Sequence, residues 1–348
     1  MSAKIISSLL LIGLSLAPSG TFPPQNPELG AAFDAYFTEM EKEGFSGIIY
    51  VEDRGKVLLH KAYGMASRED NRPMSVETGF DMGSIQKWLT QIGIYQLEHQ
   101  GKLNLDDPLS KFFKQVPDDK ADITIKQVLK HKAGFIDYLG GDYEVIDQEE
   151  ALKMLFSAPL LYKPGSRRKY SNGGYSLLGI LIEKLSDKSY EQFIYDEFLE
   201  PAGMLQTGYL KGGWEPSKLV TGYRADGSKW GTSLDHPWAE DGPSWSLRAN
   251  GGMLTTVMDL RRMIAAFEEG SPLGEEKRKR LLDKTVQGIL GQKIIGQAGS
   301  NGIFFADMEW NLNRKSGIIG MSSVENFSVE RLILDNKRGK KLYKKLVF

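Results

Sequence analysis

Gly83-Ser84-Ile85-Gln86-Lys87 opens the most strongly patterned helical segment of the chain. Apolar residues recur behind it at helical spacing and Gly101 follows as a stop signal, so the sequence predicts a helix over 84–100. Because positions three apart share a helical face, the Lys87 amine can reach the Ser84 hydroxyl. A serine in the first turn also has the free N–H groups and positive dipole end of the helix beside it, which favours a developing oxyanion.

The same Ser-x-x-Lys spacing recurs at Ser166-Arg167-Arg168-Lys169, directly after Pro164-Gly165. That copy follows a turn signal and has no apolar helix behind it, so it is interpreted as structural. Ser84 alone is also typical of a helix N-cap. Tyr170-Ser171-Asn172, at the entrance of a second predicted helix, adds a phenol and an amide that can project into a cleft.

The predicted elements run in the order sheet, helices, sheet. Two β-rich stretches, 47–52 and 56–64, flank the turn signal Asp53-Arg54-Gly55 and predict a hairpin. Short strand patterns return at 303–305 and 318–321, whereas the segments between are mainly helix and loop. The sequence therefore predicts an α/β (α+β) protein with an inserted mainly helical domain. A small-molecule site is expected in the cleft between the two parts.

The N-terminus is typical of an export signal, with Lys4 followed by a mostly apolar stretch over 5–17 and then small residues. That stretch is shorter than the about 20 residues that span a membrane, so no stable membrane anchor is expected. The protein is predicted to be exported, periplasmic or extracellular. We expect three parts: a signal peptide over 1–20, a sheet domain built from 21–90 plus 250–348, and a helical domain over 91–249.

Composition excludes several classes of protein. The 348 residues carry 44 Lys+Arg against 45 Asp+Glu, a formal charge of −1, so no nucleic-acid partner is expected. The absence of cysteine excludes disulfides, thiolate metal sites and a cysteine nucleophile. The histidines are too dispersed for a local metal pair, since the nearest two, His99 and His131, are 32 positions apart. No metal and no cofactor are predicted.

Ordered matches along the chain resemble the class C β-lactamase family in its broad sense, which includes serine β-lactamases, D,D-carboxypeptidases, D-aminopeptidases and carboxylesterases. The resemblance runs from about residue 30 to the C-terminus. It implies a β-lactamase/transpeptidase-like fold, an antiparallel sheet flanked by helices with an inserted mainly helical domain. Besides the motifs above, the matching segments are 45–64, Gly101-Lys-Leu-Asn-Leu-Asp-Asp-Pro108, Ile123-Thr-Ile-Lys-Gln-Val-Leu-Lys-His131, Lys163-Pro-Gly165, Leu177-Leu-Gly179, Pro201-Ala-Gly-Met204, Gly251-Gly-Met-Leu-Thr-Thr256 and Asp259-Leu260.

The resemblance implies a role for each candidate site residue. Ser84 would be the acylated nucleophile, Lys87 its charge partner and Tyr170 the general base, while Asn172 would bond a polar group of the substrate. A tyrosine, whose pKa is ordinarily near 10, can act as a base only if a nearby cation favours its phenolate, which the Lys87 ammonium would do. No histidine is required, and His131 is interpreted as a core or turn residue.

The third element of the family pattern is a Lys or His two residues before a Gly on a strand that lines the cleft. The best-aligned segment here, Gly296-Gln297-Ala298-Gly299-Ser300, has a neutral amide at Gln297. Lys315-Ser316-Gly317 matches the cationic form, but it follows a predicted hairpin turn and only 31 residues come after it. We favour Gln297 and Gly299 as substrate-binding residues. The second oxyanion-hole N–H is assigned to Ser300, beside that of the nucleophile.

Two functions stay open. One is an exported serine hydrolase that forms an acyl-enzyme with a small-molecule or peptide substrate: an ester, an amide or a D-amino-acid peptide. The other is a catalytically weak, penicillin-recognising relative that binds peptidoglycan or a partner. Gln297 motivates this alternative, as does Lys132-Ala133, where the family usually has small hydroxylated residues. The intact Ser84, Lys87 and Tyr170 favour the enzyme.

Overall fold

The computed structural model describes residues 27–238, 241–289, 292–325 and 327–347. The predicted signal peptide, 1–20, lies outside these residues. In the described part of the chain, no helix combines the length and apolar character needed to cross a membrane.

Twelve strands and eleven α-helices are found in the described residues. The strands are β1 Gly47–Asp53, β2 Lys56–Tyr63, β3 Met65–Ser67, β4 Arg72–Pro73, β5 Phe80–Asp81, β6 Gly222–Tyr223, β7 Lys229–Gly231, β8 Leu254–Thr255, β9 Gln287–Ile289, β10 Gln292–Ser300, β11 Phe305–Asn311 and β12 Ser316–Ser322. The helices are α1 Pro27–Lys42, α2 Gln86–His99, α3 Asp118–Ala121, α4 Ile125–Leu129, α5 Gln148–Ser157, α6 Asn172–Ser186, α7 Tyr190–Ile194, α8 Val257–Ala265, α9 Glu275–Thr285, α10 Val329–Leu334 and α11 Lys337–Val347. A 3-10 turn, Gly83–Ile85, leads into α2.

The main sheet is antiparallel, and its described strands lie in the order β2-β1-β12-β11-β10-β9. Its central strands are covered on both faces. Along β1, Ile48 and Tyr50 belong to the core that includes α2 and α8, whereas Ile49 and Val51 belong to the core built with α1, α10 and α11. This alternation follows from the two-residue period of a strand. The predicted antiparallel sheet flanked by helices is confirmed.

Helix α2 joins the sheet to the mainly helical segments that follow it. Trp88 stacks on Phe267 with ring centroids 4.7 Å apart. On the other side, Gly93 allows close approach of two side chains, since a Cβ there would lie 2.9 Å from Ile182 and 2.8 Å from Ile194. The turn before α2 packs against the end of β10, since a Cβ at Gly83 would collide with the backbone nitrogen of Ser300. The division into domains at 21–90 plus 250–348 and 91–249 stays a prediction.

One predicted strand is displaced. The pattern at 303–305 predicts a strand there, but β11 begins only at Phe305. The Asn301 side chain accepts hydrogen bonds from the backbone N–H groups of Ile303 and Phe304, at 3.1 and 2.9 Å. This side-chain to backbone turn occupies the N–H groups that a strand would offer to its neighbour, so the strand starts later.

Candidate active site

Ser84 lies in the 3-10 turn that precedes α2, not at a helix cap. Helix α2 begins after Ile85, which makes no side-chain capping bond, so the N-cap interpretation of Ser84 is wrong. Gly83 has φ +51°, which favours glycine, and a Cβ there would collide with the backbone nitrogen of Ser300. The Asp81 carboxylate accepts a hydrogen bond from the Gly83 N–H at 2.7 Å, which stabilises this turn.

Two proton-carrying groups meet at the Ser84 hydroxyl. Lys87 Nζ lies 3.0 Å from Ser84 Oγ, and the Tyr170 hydroxyl lies 2.8 Å from the same oxygen. The predicted Ser84–Lys87 contact across one helical turn is present, and the distant Tyr170 is brought to it. The second tetrapeptide stays apart, since Ser166 is exposed and donates to the Lys163 carbonyl at 2.6 Å.

Lys87 is buried among groups that do not neutralise an ammonium. It is 4% exposed, and its Nζ donates to the Asn250 carbonyl at 2.6 Å. Within the described ranges, no carboxylate lies within ion-pair distance of it. Burial lowers the pKa of Lys87 to about 7, although the negative charges of Asp137 and Asp142 oppose this shift. The amine is therefore available as a proton acceptor near neutral pH.

Asn250 is a site residue that the sequence analysis missed, since Asn250-Gly251-Gly252 indicates only a break between helices. Its side chain donates to Ser176 Oγ at 2.9 Å and to the Ser246 carbonyl at 3.0 Å. The preceding Ala249 has φ +68°, an uncommon conformation for alanine. These constraints direct the Asn250 carbonyl at the Lys87 amine.

The charge state of Tyr170 differs from the sequence expectation. Burial raises the pKa of Tyr170 to about 12, which opposes the phenolate that a general base would need. The Tyr170 ring stacks on His131, with centroids 4.5 Å apart, and His131 Nδ1 accepts from the Ser171 N–H at 3.2 Å. His131 is buried with φ +55°, as expected for a turn histidine, and it also positions the Tyr170 ring.

Asn172 is the first residue of α6 and does not cap it. The cap is Ser171, whose Oγ accepts from the Gly174 N–H at 2.9 Å. The backbone N–H and the side-chain NH₂ of Asn172 both donate to Asp137 Oδ1 at 3.0 Å. With its NH₂ engaged, the Asn172 amide has its oxygen left as a hydrogen-bond acceptor. Sequence reasoning also missed Asp137, which no local pattern links to Asn172.

The end of β10 packs directly against the turn that carries Ser84. A Cβ at Gly299 would collide with the Met82 carbonyl and lie 2.8 Å from the Ser84 backbone nitrogen. Only glycine therefore permits this approach, which brings the Ser300 backbone beside that of Ser84. Asp81 spans the two segments, because Asn301 Nδ2 lies 3.4 Å from the carboxylate that holds the Ser84 turn.

Gln297 and Lys315 lie in different places. Gln297, in β10, lines the cavity that also contains Ser84 and Lys87. Lys315 is exposed in the turn between β11 and β12, where its carbonyl accepts from the Gly55 N–H at 2.9 Å. That turn is at the end of the sheet away from Ser300, because Ser316 pairs with Asn311 whereas Phe305 pairs with Ser300.

Ser84 and Tyr170 line two cavities at once. The larger, of about 810 Å³, also contains Lys87 and Gln297. It carries one acidic side chain, Glu309, and four further basic side chains, Lys130, Lys132, Arg168 and Lys284. The smaller, of about 330 Å³, contains Asn172, Ser300 and Asp142. A substrate carbonyl at Ser84 would therefore lie between a cavity with mainly basic side chains and one whose charged side chain is Asp142.

The β-lactamase family model matches residues 33–335. The chain belongs to the β-lactamase family. The Bacillus subtilis protein PbpX is 27% identical over 296 residues, 82% of this chain and 73% of that protein. Protein flp of Staphylococcus aureus strain MW2 is 28% identical over 291 residues, 80% of this chain but only 55% of flp.

Solved structures share this fold. A β-lactamase/D-alanine carboxypeptidase from Pseudomonas syringae superposes with a TM-score of 0.75 at 16% identity, covering 90% of this chain and 99% of that one. A D-amino acid amidase from Ochrobactrum anthropi SV3 gives 0.72 at 20% identity, covering 91% and 99%. At these identities the likeness concerns the fold, and it confirms the predicted β-lactamase/transpeptidase-like fold.

Proposed function

We propose that this member of the β-lactamase family is an exported serine hydrolase that forms an acyl-enzyme on Ser84. One observation carries the proposal: Ser84 Oγ lies within hydrogen-bond distance of both a buried amine of lowered pKa and a phenol. A serine hydroxyl becomes nucleophilic when an adjacent base takes its proton. Export rests on the sequence of 1–20 alone.

In the acylation step, the neutral Lys87 amine accepts the Ser84 proton while Ser84 Oγ bonds to the substrate carbonyl carbon. The carbonyl oxygen becomes an oxyanion, for which the N–H groups of Ser84 and Ser300 are the proposed donors. The leaving group departs with a proton from the Tyr170 hydroxyl. The phenolate so formed is unfavourable at its buried position and takes the proton held by Lys87, which restores both groups.

Deacylation repeats these roles with water as the nucleophile. The neutral Lys87 amine accepts a proton from the attacking water, and the Tyr170 hydroxyl donates its proton to Ser84 Oγ as the bond to the acyl carbon breaks. The phenolate then takes the proton held by Lys87, which restores both groups. Tyr170 is a neutral phenol in the free enzyme and in the acyl-enzyme, in line with the effect of burial on its pKa. This assignment makes Lys87 the base and Tyr170 the acid, in place of the phenolate base expected from the sequence.

The proposed substrates are esters, amides or D-amino-acid peptides of modest size. The structures of a D-alanine carboxypeptidase-type enzyme and of a D-amino acid amidase share the fold, which supports this range. Asn172 and Gln297 would bond polar groups of the substrate from the smaller and the larger cavity. Gln297 also motivates the second candidate, a catalytically weak penicillin-recognising relative, because it stands where the family pattern has a cation.

A substrate panel tests the proposal. Esters, D-amino-acid amides and β-lactams are assayed side by side with the wild type, Ser84→Ala and Ser166→Ala. We expect turnover of at least one ester or amide by the wild type and by Ser166→Ala, and none above background by Ser84→Ala. A wild type that forms a long-lived adduct with β-lactams but turns over no member of the panel would instead support the penicillin-recognising alternative.

A further inference from the structure

The smaller cavity beside Ser84 has an acidic character. Of its described lining residues, Asp142 alone carries a charged side chain, and the others are glycines, Leu247 and neutral polar residues such as Asn172 and Ser300. Since Ser84 lines both cavities, a substrate whose carbonyl reaches Ser84 can place one of the two groups on its carbonyl carbon in the smaller cavity. The cavity volume of about 330 Å³ is large enough for such a group.

The Asp142 carboxylate has no partner among the residues that the structure describes: none donates a hydrogen bond to it and none forms an ion pair with it. Its backbone is held in place, because Ser246 Oγ donates to the Asp142 carbonyl at 3.0 Å. Asp137 is the contrast, since its carboxylate accepts two hydrogen bonds from Asn172. The Asp142 oxygens are not among the described side-chain atoms that are cut off from solvent without a partner, so the carboxylate is open to a hydrogen-bond donor in this cavity.

The acceptors of this cavity match a primary ammonium. Asn172 offers its amide oxygen, since its NH₂ is engaged by Asp137, and Asp142 offers a carboxylate. An ammonium carries three N–H donors and one positive charge, so it can bond both groups and neutralise one of them. A neutral amide or methyl group at the same place would leave the Asp142 charge uncompensated.

We propose that Asp142 is a specificity-determining residue that selects substrates with a protonated amine next to the scissile carbonyl. This inference rests on the proposed hydrolase function and narrows it to aminoacyl amides and esters, with Asn172 as the second acceptor. Burial raises the pKa of Asp142 in the absence of such a ligand, and a bound ammonium would reverse that effect.

The test compares D-alanine p-nitroanilide with its N-acetyl derivative at pH 7.0, where an α-amine of pKa about 7.7–8.0 is mostly protonated. The readout is the ratio of kcat/KM for the two compounds. A change in the pKa of Lys87 affects the hydrolysis of both compounds, so it cancels in this ratio. The protein variants are the wild type, Asp142→Asn and the matched control Asp106→Asn, which alters a carboxylate 69% exposed and paired with Lys126 outside both cavities.

We expect the wild type and Asp106→Asn to prefer the free amine by about tenfold or more, and Asp142→Asn to lose about tenfold of that ratio. Protection of Ser84 from fluorophosphonate labelling by each compound gives the same comparison if turnover is slow. A wild type that labels but shows no preference for the amine, or an Asp142→Asn variant with the wild-type ratio, would overturn this inference alone. Absence of labelling would instead contradict the hydrolase function.

Discussion

The lowered pKa of Lys87 predicts the pH dependence of the reaction. A lysine of ordinary pKa, 10.5, is neutral in only about one molecule in 3,000 at pH 7, whereas a pKa of about 7 makes about half of the molecules neutral. If the neutral amine is the base, kcat/KM for an uncharged ester is level above about pH 8. It falls to about one tenth at pH 6 and about one hundredth at pH 5.

The assay is kcat/KM for one uncharged ester from pH 5 to 9.5 in buffers of constant ionic strength. Asp142→Asn provides the perturbation. Its carboxylate raises the pKa of Lys87, so removing that charge disfavours the ammonium and moves the acidic limb to lower pH. Asp106→Asn should leave the limb in place. A kcat/KM that still rises about tenfold per pH unit up to pH 9.5 would indicate a phenolate base at Tyr170. A flat profile would remove Lys87 from the role of base.

Three further predictions concern other groups. Tyr170→Phe should slow turnover by roughly 10²–10⁴-fold because the proton donor is lost, whereas Ser166→Ala should have no comparable effect. If Ser166→Ala slowed turnover more than Tyr170→Phe, the wrong Ser-x-x-Lys tetrapeptide would have been chosen. Gln297→Lys should raise the ratio of kcat/KM for a penicillin to kcat/KM for an uncharged ester several-fold, and Lys315→Ala should leave this ratio unchanged. A ratio that Gln297→Lys leaves unchanged and Lys315→Ala lowers would make Lys315 the third element of the family pattern. Burial raises the pKa of Asp307 from 3.8 to about 7, so its folded form holds a proton that the unfolded chain releases, and stability is lost as pH rises from about 4 to 7. Asp307→Asn should therefore reduce this loss by about 4 kcal/mol in urea titrations between pH 4 and 8, and an unchanged pH dependence would refute it.

Local patterns predicted the elements that build the sheet and position the nucleophile. The hairpin of β1 and β2 and the helix behind Ser84 follow from spacing and turn signals, because each buries an apolar face at its own period. Helix α9 was missed, since Glu275–Thr285 is mostly charged and only Leu281, Leu282 and the stem of Arg278 are buried. So few apolar residues do not form a recognisable helical repeat in the sequence.

The candidate site was predicted as a set of residues but not as an electrostatic environment. Spacing alone links Ser84 to Lys87. Tyr170 and Asn172 were singled out at the entrance of a predicted helix, and their roles came from the family resemblance. The sequence analysis expected a phenolate at Tyr170, whereas its burial favours the neutral phenol. Burial depends on segments that converge only in the fold. Asp142 and Asn250 were missed for the same reason, since nothing in the local sequence marks a carboxylate or a carbonyl that lies beside a distant helix.

The acyl-enzyme on Ser84 is the central claim, and a mass measurement tests it most directly. The protein is incubated with a fluorophosphonate, its intact mass is recorded, and the modified peptide is mapped. We predict one adduct per chain in the wild type and in Ser166→Ala, located on Ser84, and no adduct in Ser84→Ala at an unchanged thermal midpoint. An adduct that persists in Ser84→Ala, or that maps to another serine in the wild type, would contradict the account.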